Sequence, residues 1–402
     1  MKKLSLILVL FLTLCTSFFA ADIAVSGKLV TRSGVNSNQA DFNSDSSDSV
    51  GYLYINGELN TSVSLADDVT VYLELELNDK VSNGASLNSG TSNTVEIDEA
   101  YIEIKEFLMD SLTLKIGHQY YEYTLRGNNR AMVLNDDFTG FKGTFTFEKG
   151  FLDIFYGKYI ETLSSVNDSD DQEVYGLHFE WNFSESIHTI FYLNNAVLDG
   201  AAGADRSNYI TVGAGVDYFL FDKSLELFLE VAFQFGTISE SVDQSGLGLD
   251  VGARWSFGEL GSLKGLWVEL NVGYRSGEDN DADSSAFWNG MTAKTGALIA
   301  ENNYSDDSPM FQGYANSQYL AVRGEIKASW TEKFSTEFIV AYFDNTAEDA
   351  DPYGFEIDLS NYYNYSENVS FALHLAAFMP DDGLAADGDT VFALAFETHV
   401  SF

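Results

Sequence analysis

Apolar and polar residues alternate one by one along most of this chain. In residues 71–78, Val71, Leu73, Leu75 and Leu77 share one parity, and Tyr72, Glu74, Glu76 and Asn78 share the other. Side chains of a β-strand point alternately to its two faces, so such a stretch predicts a strand with one greasy and one polar side. The pattern recurs in about 18 stretches, the first at 23–33 and the last at 389–402, most of them about ten residues long or more. The final stretch carries Phe392, Leu394, Phe396, Val400 and Phe402 on one parity and Ala393, Ala395, Glu397, His399 and Ser401 on the other.

The breaks between these stretches alternate in length. Short ones include 106–110, 148–150, 184–187, 221–223, 331–334 and 365–368, and long ones include 34–48, 80–94, 122–137, 161–171, 277–317 and 379–388. Short turns on one rim and long loops on the other predict an all-β fold, a transmembrane antiparallel β-barrel of about 18 strands, with 16 as the alternative. Its short turns would be periplasmic and its long, acidic loops extracellular. A soluble sandwich has no reason to alternate its connections this way, and no repeat of 20–50 residues suggests a solenoid or propeller.

The start of the chain fits export. Residues 1–20 have two lysines, an apolar run and small residues near the end, which is the plan of a signal peptide, with the cut between 17 and 21. Residues 21–402 then form a single barrel domain in the bacterial outer membrane. Cleavage removes Cys15, the single cysteine, and moves the net charge from −40 to −42 because Lys2 and Lys3 leave with no acid. The three prolines, Pro309, Pro352 and Pro380, all lie in polar breaks, as a chain made largely of strands requires.

In a barrel the apolar parity faces lipid and the polar parity faces the lumen, because a charge held at mid-membrane costs a few kcal/mol. The parity rule places Lys105, Lys115, Lys142, Arg254, Arg275, Arg323 and Lys327 inside. It places Glu74, Glu76, Glu99, Glu103, Glu226, Glu230 and Glu269 there too, with Glu58, Asp250, Glu356 and Asp358, so acids outnumber bases. Arg126 and Arg130 fall in the loop 122–137 and join the expected pore lining. The basic residues form either a ladder opposite an acidic wall, which would orient polar solutes, or ion pairs that hold the wall. Tyr120, Tyr121, Tyr123, Tyr218, Phe219, Phe221, Trp255, Phe257, Tyr362, Tyr363 and Tyr365 cluster at strand ends, where rings anchor a barrel at the headgroups.

Enzyme chemistry finds no support. His178, His188, His374 and His399 fall on separate strands and no two share metal-ligand spacing, so neither a metal nor a cofactor is expected. No catalytic constellation stands out, and the strong negative charge argues against nucleic acid. The acidic runs 43–49, 167–173, 277–285 and 347–352 suit solvation, or bridging by divalent cations to each other or to anionic lipid. Loop 277–317 is long, and apolar enough in part to fold into the lumen.

Residues 96–159 resemble the alginate-export family of outer-membrane channels. Ala100–Tyr101–Ile102, Gly117–His118–Gln119, Arg130 and Phe138–Thr139–Gly140–Phe141–Lys142 stand where that family has an AY(V/I) strand, a G-R-Q strand end, a loop arginine and an F-D-G-x-R strand. The resemblance implies an 18-stranded barrel and either export of anionic polysaccharide or porin-like uptake. His118 and Thr139 depart from the family pattern, and the acidic lumen departs from a polyanion path. Phe402 resembles the terminal aromatic that barrel-insertion machinery reads.

The expected function is a porin passing small hydrophilic solutes, cations or neutral sugars, through a barrel seated in outer-membrane lipid. Export of an alginate-like polysaccharide, and a plugged structural or surface-interaction barrel with acidic loops, are the alternatives. The sequence sets no oligomeric state.

Overall fold

The computed structural model describes residues 22–38, 42–45, 49–82, 85–86, 94–123, 125, 134–160, 172–198, 207–239, 242–277, 319–385 and 388–402. They form a closed antiparallel β-barrel of 18 strands. The first nine are β1 (Asp22–Ser37), β2 (Val50–Ala66), β3 (Val69–Ser82), β4 (Thr94–Ile104), β5 (Leu112–Tyr123), β6 (Leu134–Phe147), β7 (Gly150–Ile160), β8 (Gln172–Ser184) and β9 (Ile187–Leu198). The rest are β10 (Ser207–Leu220), β11 (Leu225–Ser239), β12 (Val242–Leu260), β13 (Leu263–Arg275), β14 (Tyr319–Ser329), β15 (Phe334–Asn345), β16 (Gly354–Asn364), β17 (Val369–Pro380) and β18 (Val391–Ser401). Ala85–Ser86 is a two-residue pair folded back on the end of β3. Each strand pairs with its sequence neighbours, and β1 pairs with both β2 and β18, which closes the cylinder and leaves no long open edge among the described residues.

Eight tight turns join the strands on one rim, from Asp67–Asp68 between β2 and β3 to 365–368 between β16 and β17. Both ends of the barrel chain lie on this rim. In the turn after β12, Gly258 and Gly261 both adopt φ +62°, a conformation that side chains with a Cβ rarely take. On the other rim the structure corrects one boundary. Residues 238–239 and 242–245 belong to the hairpin β11–β12, whose register runs on to Ser239–Val242. The polar residues there protrude beyond the bilayer, where strand geometry no longer needs an apolar face.

The outward parity is mostly apolar: Leu227, Leu229, Phe233, Leu270, Ile326, Leu373, Leu394 and Phe396 are all exposed. This band faces lipid. Trp255 stacks on Phe257 at 5.3 Å, and Phe179 on Trp181 at 5.9 Å, near the tight-turn rim. Three of the expected rim anchors point the other way. Phe219 shares the inward parity of Asp217 and pairs with Glu226. Tyr121 is 1% exposed on the inner wall, and Tyr362 lies inside beneath the Lys327 ammonium. Neighbouring residues of one strand cannot share a face.

In β4 the parity itself changes. A bulge at Asp98 shifts the register from Glu74–Glu99 to Leu75–Ile97. Val95 and Ile97 on one side of it, and Ile102 on the other, all face out. Lys105, expected to face the lumen, instead lies in the exposed turn after β4, its N–H donating to the Asp68 carbonyl at 2.8 Å. The strand ends at Ile104, before the parity rule can apply to it.

Candidate functional site

The inner wall carries the polar parity, so the lumen is where chemistry is concentrated. Lys115, Lys142, Arg254, Arg275, Arg323 and Lys327 sit on inward positions, as do Glu74, Glu76, Glu99, Glu103, Glu226, Glu230 and Glu269. Arg126 and Arg130 lie outside the described residues.

Between β11 and β15 the charges interlock across neighbouring strands. Arg254 Nε donates to Glu269 Oε2 at 2.8 Å, and its Nη1 stands 3.9 Å from Glu226. Arg323 bonds Glu325 and stands 3.7 Å from the other oxygen of Glu269, all three side chains being buried. Lys327 donates to Glu337 at 3.0 Å. Arg275 donates to the carbonyls of Leu249 and Tyr274 and lies over the Tyr319 ring. The basic residues therefore form a ladder whose rungs are ion pairs and carbonyl contacts, and the same wall supplies the acids.

The sector β1–β5 is different. Among the described residues, Glu58, Glu74, Glu76, Asp98, Glu99 and Glu103 outnumber the cations near them: Lys28 and Lys115 within the sector, Arg32 at its seam, and Lys142 of β6 within electrostatic reach of Glu99 and Glu103. Lys28 pairs with Glu58, and Lys115 stands 3.5 Å from Glu103 and over the Tyr101 ring. Tyr72 stacks on Tyr101 and donates to Glu74 at 2.8 Å, and Asn56 donates to Glu76 at 2.5 Å. Glu99 caps a broken ladder. The β4–β5 pairing stops at Ala100–His118, and the Glu99 carboxylate accepts the N–H of Tyr120 at 2.7 Å. Arg32, on the lumen side of β1, is held by Glu397 of β18 at 2.5 Å, an ion pair across the closing seam.

Two features narrow the lumen. Leu125, just past β5, packs against Ile190, Tyr192, Phe228 and Ala232 on the wall of β9–β11. The Leu125 N–H bonds the buried carboxylate of Glu230, which also accepts the Tyr192 hydroxyl at 2.8 Å. The strand end thus crosses to another part of the wall and is fixed there. Near the extracellular rim, Tyr319, Phe343 and Phe378 join Ala321, Ala341, Ala376, Ala393 and Ala395 in an apolar inner patch. Phe42, Tyr353 and Leu384, from three loops, pack on it. Backbone bonds knit these loops: Asp389 to Phe42 at 2.7 Å, Asp381 to Tyr353 at 3.0 Å, and Gly383 to Pro352 at 2.9 Å. Outside the membrane, Asp389 accepts the Ser44 N–H at 2.7 Å, and the Ser44 hydroxyl and N–H together hold its carboxyl below the usual aspartate range.

Inward glycines keep the rest of the wall thin. The Tyr192 ring lies where a side chain on Gly213 would stand, Phe155 covers Gly176, Phe138 covers Gly157, and Phe228 covers Gly252. Each ring lies along the wall instead of projecting from it.

Parity alone could not find Leu125 or Asp98; it does place Glu325 inside, between Arg323 and Lys327, though the acids named from sequence leave it out. Leu125 carries a faint signal, an apolar residue in the polar stretch 122–130. Among the described residues no group of three His, Cys, Asp or Glu side chains is placed to hold a metal ion, and no helix is long and apolar enough to cross a membrane.

No protein-family model matches the chain, and no curated protein matches it in sequence. Solved structures do share its architecture. OpdQ of Pseudomonas aeruginosa superposes with a TM-score of 0.64 at 11% identity, covering 95% of this chain and 99% of its own. OccK8 (OprE) of the same organism gives 0.63 at 10% identity over 95% and 98%. OccAB4 of Acinetobacter baumannii gives 0.60 at 10% identity over 94% and 98%. Identity this low speaks for the fold alone. The alginate-export label gains nothing from these barrels.

Proposed function

We propose that this barrel is an outer-membrane porin through which small hydrophilic solutes diffuse passively, favouring cations and neutral sugars over anions. The carrying observation is the balance of the inner wall. Its basic side chains are engaged by carboxylates, carbonyls or rings, while the sector β1–β5 presents more carboxylates than ammonium groups. The barrels that share its fold are outer-membrane porins, which supports the pore and the location. The apolar belt requires lipid around it. Residues 1–20 serve as the export signal, and Phe402 as the terminal aromatic that insertion machinery reads. Divalent cations bridge the acidic loops. An acidic wall speaks against the passage of an alginate-like polyanion.

Single-channel recording in a planar bilayer under a salt gradient tests this reading. Steady conductance with a cation-selective reversal potential is the expected result. Anion selectivity would reverse the charge argument. A second reading has its own observation: the inner apolar patch is fully covered, with Tyr319, Phe343 and Phe378 at 0% exposure, as in a plugged surface-interaction barrel. A folded, inserted barrel that conducts nothing would establish that reading instead.

A further inference from the structure

On the outer face of β5–β8 the apolar parity stops along one line. Ile116, Phe141, Tyr156 and Tyr175 stand in register across the four strands, and the next row toward the long loops is His118, Thr139, Lys158 and Glu173. Among the described residues, Lys158 is the one lysine or arginine that faces outward away from the tight-turn rim, and His118 is the one outward histidine. A charge on the lipid face is costly at mid-membrane and costs little at the headgroups, so this row marks headgroup depth.

The row is tied together from both ends. His118 Nδ1 lies 3.1 Å from the Thr139 hydroxyl, and the other ring nitrogen has no hydrogen bond among the described residues. Glu173 accepts the hydroxyls of Tyr156 at 2.9 Å and Tyr175 at 2.7 Å. Lys158 stands opposite both Thr139 and Glu173 in the register. An ammonium has three donors, so one neighbouring carboxylate does not exhaust it. Beneath the row the rings of Phe141, Tyr156 and Tyr175 follow one another at 5.9 and 5.0 Å. One step lower, Gly143 leaves a notch between Leu114 and Ile154, where a side chain would come no closer than 3.7 Å to Leu112. Donors at headgroup depth above a ringed, notched apolar wall match a phosphate carried on acyl chains. The carboxylates of Glu173 and of Asp137, one row further out on β6, would repel a free phosphate ion, which has no chain to hold it.

We infer that His118, Thr139 and Lys158 bind the phosphate of a membrane lipid in the leaflet on the long-loop side, with an acyl chain lying over Phe141 and Tyr156 into the notch at Gly143. This rests on the outer-membrane reading above and gives the lipid belt one specific site. Lys158 supplies the charge. The His118–Thr139 pair keeps one directed donor in either tautomer: the ring Nε2–H when the hydroxyl donates to Nδ1, the hydroxyl itself when Nδ1–H donates to it. The two phenols engage Glu173, which weakens its competition for the Lys158 ammonium.

The test is native mass spectrometry of the full-length barrel in detergent, with dioleoyl phosphatidylglycerol titrated in. A galactosyl diacylglycerol with the same chains serves as the phosphate-free control. Variants are first checked to run as the folded, heat-modifiable band. The expected result is that the first phosphatidylglycerol binds at a lower concentration than the galactolipid. In Lys158→Gln its half-occupancy concentration should rise about twofold to fivefold, the worth of an exposed ion pair. Thr139→Val should shift it in the same direction. Lys264→Gln, which removes an outward lysine beside the tight turns, should leave it unchanged. Equal retention of the two lipids overturns phosphate recognition, and equal shifts in Lys158→Gln and Lys264→Gln overturn the location. Either result leaves conductance untouched, so the pore reading stands. A folded barrel that enters no lipid bilayer overturns the membrane reading and the site with it.

Discussion

Phe402 and Gly27 exchange both backbone hydrogen bonds, each 3.0 Å long, so the last residue of the chain completes the ladder that closes the barrel. The Phe402 ring lies over Gly27, with its tip 2.6 Å from where a side chain would begin. Gly27→Val should displace the ring and strain the seam, since the Glu58 carbonyl crowds the same point at 2.5 Å. The expected outcome is a severalfold drop in the heat-modifiable, folded band on gels. Deleting Phe402 separates two roles. If the residue acts mainly as an insertion signal, assembly in cells should fall while refolding into detergent survives.

Leu125 packs across the lumen side onto Ile190, Tyr192 and Phe228. Leu125→Ala removes its contact with Ile190, Tyr192 and Phe228 and should release the crossing segment, raising single-channel conductance and current noise. Gly213→Ala should act oppositely. Its methyl would collide with the Tyr192 ring and tip the ring into the lumen, lowering conductance. Equal conductance in both variants would remove the narrowing from this place.

Arg323 holds two buried carboxylates, Glu269 and Glu325. Arg323→Met leaves the buried Glu325 without its cation, while Glu269 keeps Arg254, and should cost about 3–5 kcal/mol in equilibrium unfolding by urea in detergent. Adding Glu325→Gln should restore part of that loss. Channels that do insert should become more cation-selective.

Asp389 should titrate below an ordinary aspartate, whose midpoint is about 3.9. A depressed carboxyl contributes stability that is fully present above its unfolded value and lost as pH falls through the folded one. The loop contact should therefore hold from neutral pH down to about 4 and loosen as pH falls further. Carbon NMR of the Asp389 carboxyl gives the midpoint, and Ser44→Ala should move it upward. An unchanged midpoint would show that the Ser44 hydroxyl contributes nothing.

Strand count, antiparallel order and the assignment of faces were legible because lipid outside and water inside enforce a period of two. Lys105 shows where that period stops informing: one residue past the end of β4 it points to solvent. The bulge at Asp98 was written in the chain as a change of apolar parity between Ile97 and Ile102, visible only when the strand is read in two halves. Pairings such as Arg254 with Glu269 were hidden, since register between strands depends on turns and not on the pattern within either strand. Leu125 was hidden for another reason, because what a loop residue packs against is fixed by distant parts of the chain.

The knit loops cover the flank of β14–β18, and Leu125 leans on β9–β11. These obstructions occupy different sectors of the circumference, so among the described residues neither of them covers the flank from β3 to β8 or the strands β12–β13. On the pore reading proposed above, a solute passing along β3–β8 would meet the carboxylates of Glu74 and Glu76, with Glu58 of β2 beside them. Average charge over the whole lumen matters less than charge beside the lane that traffic must take.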